Sequence, residues 1–164
     1  MTVLLRIILI SVSWVVIQIG SGFLTNRLPR RRFERDGWLY RTRRWEEGGR
    51  FYQRVFRIRR WKDALPEAGA MFAGGVSKRE IGRTGEELRV FVAETRRAEL
   101  THWLPLLLSA TFFLWNPVNV ALWMPFVGFL GNLPFIMVQR YLRPRISALL
   151  HGHVSSSTSR RWSG

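Results

Sequence analysis

A run of 36 residues, from Trp103 to Val138, contains no Asp, Glu, Lys, Arg or His, and it constrains the fold of this chain more than any other feature. The run is too long for one helical crossing of a ~30 Å hydrocarbon core and long enough for two. A second apolar block, from Val3 to Leu24, holds a single charge, Arg6, and is long enough for one crossing. The pattern therefore predicts a membrane protein.

A signal peptide is the alternative interpretation of the first block, with Arg6 as its positive end. The block is longer than a usual signal-peptide core, and the sequence TNRLPRRRF that follows it is not a small-residue cleavage site. We therefore favour a membrane helix there.

The long apolar run divides at LWNPVN, residues 114–119, because Asn-Pro favours a turn. Two antiparallel helices result, and the first begins near Glu86, where Thr84 and Glu87 have the spacing of a capping box. The predicted fold is an all-α integral membrane protein, with one domain over 1–150 and a disordered Ser- and Arg-rich tail over 151–164. Its membrane helices are expected at about 3–24, 100–115 and 118–139.

The positive charge is concentrated beside the apolar blocks. The chain has a net charge of +15, and 20 of its 26 basic residues and all 11 acidic ones lie in residues 25–102. The positive-inside rule then predicts a multi-pass protein of the cell membrane, with residues 25–102 and 139–161 in the cytoplasm. Membrane lipids are the expected partners of the arginines, and nucleic acid is not expected. Cysteine is absent, which excludes thiolate catalysis and disulfides.

The polar region from 25 to 99 is predicted to lie at the membrane interface. Its segment FYQRVFRIRRW, residues 51–61, alternates apolar and basic side chains with helical spacing. We expect a basic amphipathic helix lying on the membrane, and the alternative is a helix packed on its own domain. Residues 63–77 are rich in Gly, Ala and Pro, which predicts a loop or a re-entrant stretch.

The segment ETRRAELTHW, residues 94–103, crowds charge where the second helix enters the apolar run. Helical spacing brings Glu94 and Glu99 to the side of the helix that carries His102. A histidine held by a carboxylate is suited to remove a proton from an alcohol, so these three residues are the candidate catalytic group. An alternative remains open, in which Glu94 pairs with Arg97, Glu99 pairs with Arg96, and His102 is an interfacial anchor.

Two other site types are less well supported. Glu99 and His102 have the Glu-x-x-His spacing of helical metal sites, but no second copy of the motif is present, so no metal is expected. An intramembrane protease of the Glu-Glu-x-x-x-Arg type is excluded, because Glu86 and Glu87 are followed by Phe91 at the arginine position.

The last helix ends in NLPFIMVQRYLRPRI, residues 132–146, which carries candidate substrate contacts. Asn132 and Gln139 lie two turns apart on one face, and polar residues on a membrane helix usually face protein. Arg140, Arg143 and Arg145 form a basic cluster beyond them. The alternatives are a stop-transfer flank for the arginines and a helix-packing hydrogen bond for Asn132.

Three segments together resemble the glycosyl-4,4'-diaponeurosporenoate acyltransferase family. They are FYQRVFRIRRWKDALPEAG at 51–69, RRAELTHW at 96–103, and NLPFIMVQRYLRPR at 132–145. The resemblance implies a membrane acyltransferase that moves a fatty acyl group from a thioester donor to a sugar hydroxyl of a glycosylated carotenoid or related glycolipid. It implies no cofactor beyond acyl-CoA or an acyl-carrier thioester as co-substrate.

Residue roles follow from the sequence, because the resemblance transfers none. His102 is expected to deprotonate the acceptor hydroxyl, with Glu99 or Glu94 orienting it. The expected substrate contacts are Arg59, Arg60, Trp61, Arg97, Asn132, Gln139, Arg140, Arg143 and Arg145, of which the arginines outside position 97 bind donor phosphates. The alternatives are another small membrane lipid-modifying enzyme and a non-catalytic lipid-binding membrane subunit.

Overall fold

The computed structural model describes residues 2–65 and 84–161, with side chains through Gly152. These ranges are helical and contain no strand, which confirms the all-α prediction. Most of the loop predicted at 63–77 lies outside the described residues. Within these ranges the α-helices are α1 (Val3–Arg27), α2 (Arg50–Phe56), α3 (Gly85–Leu108), α4 (Val118–Ala121) and α5 (Trp123–Arg161), and the 3-10 turns are Arg30–Phe33, Arg44–Gly49, Ile58–Arg60, Lys62–Ala64 and Ser109–Leu114.

The predicted helical hairpin is formed by α3 and α5. The capping box is present, since Glu87 N donates to Thr84 Oγ1 over 3.3 Å and Thr84 N donates to a Glu87 carboxylate oxygen over 3.4 Å. The 3-10 turn after α3 ends at Leu114, and Pro117 precedes α4, so the chain reverses at the predicted position. Contacts that pair early residues of α3 with late residues of α5, such as Phe91 with Ile146, make the two helices antiparallel.

α1 runs antiparallel to α3 and contacts both long helices. Near its carboxyl end, the Thr25 and Thr101 hydroxyls lie 2.7 Å apart, and near its middle the Trp14 ring lies 5.2 Å from Phe112. The same Trp14 packs on α5 at Gly128, where an added Cβ would lie 2.6 Å from the indole. The charged end of the hairpin and the basic end of α1 are therefore at the same end of the bundle.

α1 and the helical segment from Val118 to Gly152 are long and apolar enough to cross a membrane. The third predicted membrane helix, at 100–115, is not confirmed. Its uncharged part before the turn is Trp103–Leu114, and those 12 residues are fewer than the roughly 20 that a crossing helix needs. α5 also continues to Arg161, so residues 151–161, expected to be a disordered tail, are helical.

The predicted amphipathic helix at 51–61 is wrong as a single helix. α2 ends at Phe56 because Arg57 adopts a left-handed conformation with φ 49° and ψ 43°. The indole N–H of Trp61 donates to Phe56 O over 2.8 Å, which satisfies a carbonyl at the end of the helix. Tyr52 and Ile58 are buried against α5, so this segment packs on its own protein, as the alternative interpretation held.

The start of α2 depends on a close approach between Gly49 and α5. Gly49 has φ +87°, and a Cβ there would lie 2.9 Å from Tyr141 O and 2.6 Å from Arg145 Nη1. We expect Gly49→Ala to lower the free energy of unfolding by about 1–3 kcal/mol, from the backbone strain of a left-handed alanine and the crowding together.

The matched control is Gly48→Ala, because Gly48 has φ +64° and open space around its α-carbon. That variant carries the backbone strain alone, so its thermal midpoint in detergent should fall less than that of Gly49→Ala. Equal falls would contradict the close approach to α5.

Candidate active site

His102 lies on the face of α3 that packs against α5. Its Nδ1 is 3.0 Å from Asn132 Oδ1, and its ring stacks on Phe135 with centroids 4.4 Å apart and planes at 15°. The Asn132 amide is almost fully buried, and its Nδ2 donates to Gly128 O over 2.9 Å. Because that bond fixes the amide, Oδ1 faces the histidine as an acceptor, and the hydrogen-bond network assigns the proton of the neutral ring to Nδ1. Nε2 is then the nitrogen that can accept a proton.

Glu99 does not orient His102. Its carboxylate is fully buried and accepts from Arg140 Nε over 2.8 Å, from Trp103 Nε1 over 3.2 Å and from Arg143 Nη2 in a short contact. The expected Glu99–His102 pair is thus replaced by a pair of ion pairs with α5. The pairing of Glu99 with Arg96 is also absent from the described contacts. The positive charges of Arg140 and Arg143 beside the Glu99 carboxylate disfavour binding of a metal cation to it.

Arg140 links Glu99 to a second buried carboxylate. Its Nη1 donates to Glu46 Oε1 over 2.6 Å, and the Tyr52 hydroxyl donates to the same oxygen over 2.6 Å. Burial raises the pKa of the Tyr52 hydroxyl well above its usual range, and the hydrogen bond to Glu46 adds to this, so the hydroxyl stays a donor. We call the four charged residues Glu46, Glu99, Arg140 and Arg143 the buried ion-pair network.

The buried ion-pair network also holds the segment between the first two 3-10 turns of the polar region, Arg30–Phe33 and Arg44–Gly49. Arg140 Nη2 donates to Leu39 O over 2.6 Å, and Arg143 Nη1 donates to Tyr40 O over 2.8 Å. Arg143 further donates through Nε to Thr95 Oγ1 over 3.1 Å. These bonds use the donors of both guanidinium groups, so the network joins α3, α5 and the polar region into one packed end.

Glu94 and Arg97 lie away from His102, at a groove beside the carboxyl end of α1. Glu94 Oε1 is 3.3 Å from Arg97 Nη1, which is the ion pair that the alternative interpretation expected. Burial raises the pKa of the Glu94 carboxyl, against the lowering effects of Arg97 and Arg30. Glu94 precedes His102 by eight residues, roughly 12 Å along the helix axis, so the structure does not bring these two predicted catalytic residues together.

The model of the glycosyl-4,4'-diaponeurosporenoate acyltransferase family matches residues 36–152, which is most of the chain. The chain belongs to this family. Enzymes named glycosyl-4,4'-diaponeurosporenoate acyltransferase from Staphylococcus aureus strains bovine RF122 / ET3-1 and MRSA252 are each 29% identical to it over 141 residues, covering 85% of this chain and 85% of each relative. No solved structure shows significant similarity to it. The chain is therefore an acyltransferase, and the matched region includes His102, Asn132 and the buried ion-pair network.

In this acyltransferase, the predicted phosphate contacts on α5 have other partners. Arg140 and Arg143 are occupied by the buried ion-pair network, so the prediction that they bind donor phosphates is not supported by the geometry. Arg145 donates to Tyr141 O over 2.8 Å, and its guanidinium lies 3.7 Å from the centroid of the Tyr141 ring. Gln139 is half-buried.

The predicted substrate contacts that follow α2 differ in their exposure. Arg59 and Arg60 are exposed, which leaves them accessible to a ligand. Trp61 packs against the apolar core around Tyr52 and donates to Phe56 O, so its position is explained by structure alone. Thr101, next to His102 in the sequence, contacts a different helix, since its hydroxyl bonds Thr25 of α1.

Sequence reasoning missed Glu46 and Tyr52. Glu46 lies 94 residues before its partner Arg140, and no spacing rule connects them. The only local signal was a pair of acidic residues, Glu46 and Glu47, in an otherwise basic stretch. Glu47 pairs with exposed Arg54, whereas Glu46 is buried, so that signal did not tell which of the two was important.

Proposed function

We propose that this acyltransferase moves a fatty acyl group from a thioester donor to a sugar hydroxyl of a glycosylated carotenoid or a related glycolipid. The relatives named above carry the acceptor in their names, which supports this substrate class. The observation on which the mechanism depends is the Asn132 hydrogen bond that leaves Nε2 of His102 as the proton acceptor.

His102 is the proposed general base. As the sugar oxygen attacks the thioester carbonyl carbon, its proton passes to His102 Nε2. The carbon–sulfur bond then breaks, and the departing thiolate takes the proton back from the imidazolium, so the products are an ester and a free thiol. Phe135 holds the ring plane by stacking, and Asn132 holds its rotation.

Asn132 takes the positioning role that the sequence assigned to Glu99 or Glu94. A neutral amide fixes the ring as a carboxylate does, but it stabilises the imidazolium less, because it carries no charge. The buried ion-pair network then has a structural part, in which it fixes the relation of α3 to α5 and so the distance between His102 and Asn132.

Lipid extracts test the proposed reaction. Cells that express the protein together with a glycosylated carotenoid should contain a new acyl ester of that glycoside, detected by mass spectrometry, and cells with His102→Ala should contain far less. Unchanged lipids in the presence of folded wild-type protein would contradict the proposal. New acyl esters on a different glycolipid would support the proposed acyl transfer but identify a different acceptor.

The proposed location is the cell membrane, with the charged end of the bundle in the cytoplasm. The antiparallel order of α1, α3 and α5 supports it, because their charged ends meet at one end and the uncharged turn lies at the other. This orientation requires α3 to reach the outer side together with α1 and α5, although its uncharged part alone is shorter than a crossing helix. The chain has no cysteine, so single cysteines report their side without background.

We expect Thr42→Cys to react with a membrane-impermeant maleimide only after the cells are permeabilised, and Asn119→Cys to react in intact cells. Both positions are exposed in the structure, so the protein itself does not shield either cysteine from the maleimide. Labelling of both from the outside would overturn the proposed orientation.

A further inference from the structure

The groove that contains Glu94 and Arg97 has no part in the mechanism above. It has a volume of about 450 Å³, within the range of small-ligand sites, and opens between the residues that follow α1 and the first half of α3. Its lining is mainly charged. The lining residues are Pro29, Arg30, Arg31, Glu34, Val90, Glu94 and Arg97.

Three arginines meet at this groove. Arg97 is mostly buried, and its guanidinium lies 5.4 Å from the centroid of the Phe33 ring. Its Nε is buried and has no hydrogen-bond partner within the described part of the chain. Arg30 and Arg31 are exposed, and neither forms an ion pair with a residue in the described ranges. The groove therefore offers unused cationic donors from two separate elements.

We propose that this groove binds a phosphate group, with Arg97, Arg30 and Arg31 donating hydrogen bonds to its oxygens. Planar guanidinium groups are suited to phosphate, since each can present two parallel N–H donors. Arg97 lies five residues before His102, roughly 7.5 Å along the axis of α3 and about 140° around it, so a phosphate held here lies within about two helical turns of His102 but on a different face of α3. Assigning that phosphate to the carrier of the acyl donor rests on the proposed function, whereas phosphate binding itself does not.

Substitutions of Glu94 and Arg97 are expected to change phosphate binding in opposite directions. The Glu94 carboxylate competes with an anion for Arg97, because the two side chains are already paired in the groove. Replacing it with glutamine keeps its shape and removes the competing charge. Phosphate binding should therefore become tighter in Glu94→Gln and weaker in Arg97→Gln.

The test is titration calorimetry of the full chain in maltoside micelles, which contain no phosphate. The probes are inorganic pyrophosphate, coenzyme A and dihexanoyl phosphatidylglycerol. We expect saturable binding of at least one probe, weakened roughly tenfold or more by Arg97→Gln or Arg30→Gln. Arg50→Gln is the matched control, since it removes one exposed arginine from another part of the surface, and its affinity should stay within about twofold of wild type.

The probes distinguish the two sources of phosphate. Binding of coenzyme A without the lipid supports the donor's carrier, and binding of the lipid alone supports a membrane headgroup. No saturable binding of any probe would overturn the proposal. Equal losses in Arg50→Gln and Arg97→Gln would also overturn it, because they would indicate unspecific attraction to a chain of net charge +15.

Melting temperatures of the variants accompany the titrations. If Arg97→Gln fails to fold, exposed Arg30 decides the question, and wild-type affinity in Arg30→Gln then counts against the site. Failure of the groove is distinguishable from failure of the proposed acyl transfer, because binding is measured without turnover and the His102 variants are measured by turnover.

Discussion

Glu99→Gln is expected to destabilise the protein by about 3–5 kcal/mol, which is the usual cost of removing one partner from a buried ion pair. The substitution keeps the shape of the side chain but leaves Arg140 and Arg143 buried with only Glu46 to balance them. The loss should appear as less folded protein and a lower thermal midpoint in detergent. The acyl-transfer rate per folded molecule should fall much less than the amount of folded protein, because Glu99 does not contact His102.

Two variants separate this explanation from a general loss of charge. Glu47→Gln makes the same chemical change at an exposed pair with Arg54, and its thermal midpoint should stay close to that of wild type. In the double variant Glu99→Gln with Arg143→Gln, removing the unpaired cation should recover part of the loss. A Glu99→Gln protein with wild-type stability and a lost rate would return Glu99 to the mechanism.

His102→Ala is expected to reduce acyl transfer by on the order of 10²- to 10⁴-fold, the usual contribution of a general base. The effect belongs to the transition state, so it should appear in the rate per folded molecule. Stability should also fall by about 1–3 kcal/mol, because the buried Oδ1 of Asn132 is left without its donor.

Phe135→Leu is the control for the stacking contact around His102. It removes the aromatic partner of the ring but leaves both the base and its hydrogen bond to Asn132. We expect a small loss of stability and a rate within about tenfold of wild type. A loss as large as that of His102→Ala would show that ring packing, and not proton transfer, limits the reaction.

Features with local causes were predictable from the sequence. The start of α3 follows from the Thr84 and Glu87 capping box, and the reversal between α3 and α5 follows from Pro117. Helical periodicity placed Glu99 and His102 on one side of α3, and both contact α5, whereas Glu94, expected on the same side, pairs with Arg97 in a separate groove. Spacing along one helix fixes which side chains share a face, and these predictions used only that information.

Partners across the fold were not predictable in this way. Glu99 had several basic candidates, and its choice of Arg140 and Arg143 depends on how two helices pack. The break at Arg57 was missed because the helical pattern continues through it, while burial of Ile58 against α5 requires the chain to turn. Both outcomes come from tertiary contacts that override local preference.

The most direct test of the proposed active site is the acyl-transfer rate of His102→Gln, measured in vesicles and divided by the amount of folded, inserted protein. Glutamine can donate a hydrogen bond to Asn132 Oδ1, but its amide cannot take up a proton near neutral pH. If Nε2 of His102 is the base, the normalised rate should fall at least about 10²-fold while the amount of inserted protein stays near wild type. A normalised rate within about twofold of wild type would remove His102 from the mechanism and leave it as an anchor between α3 and α5.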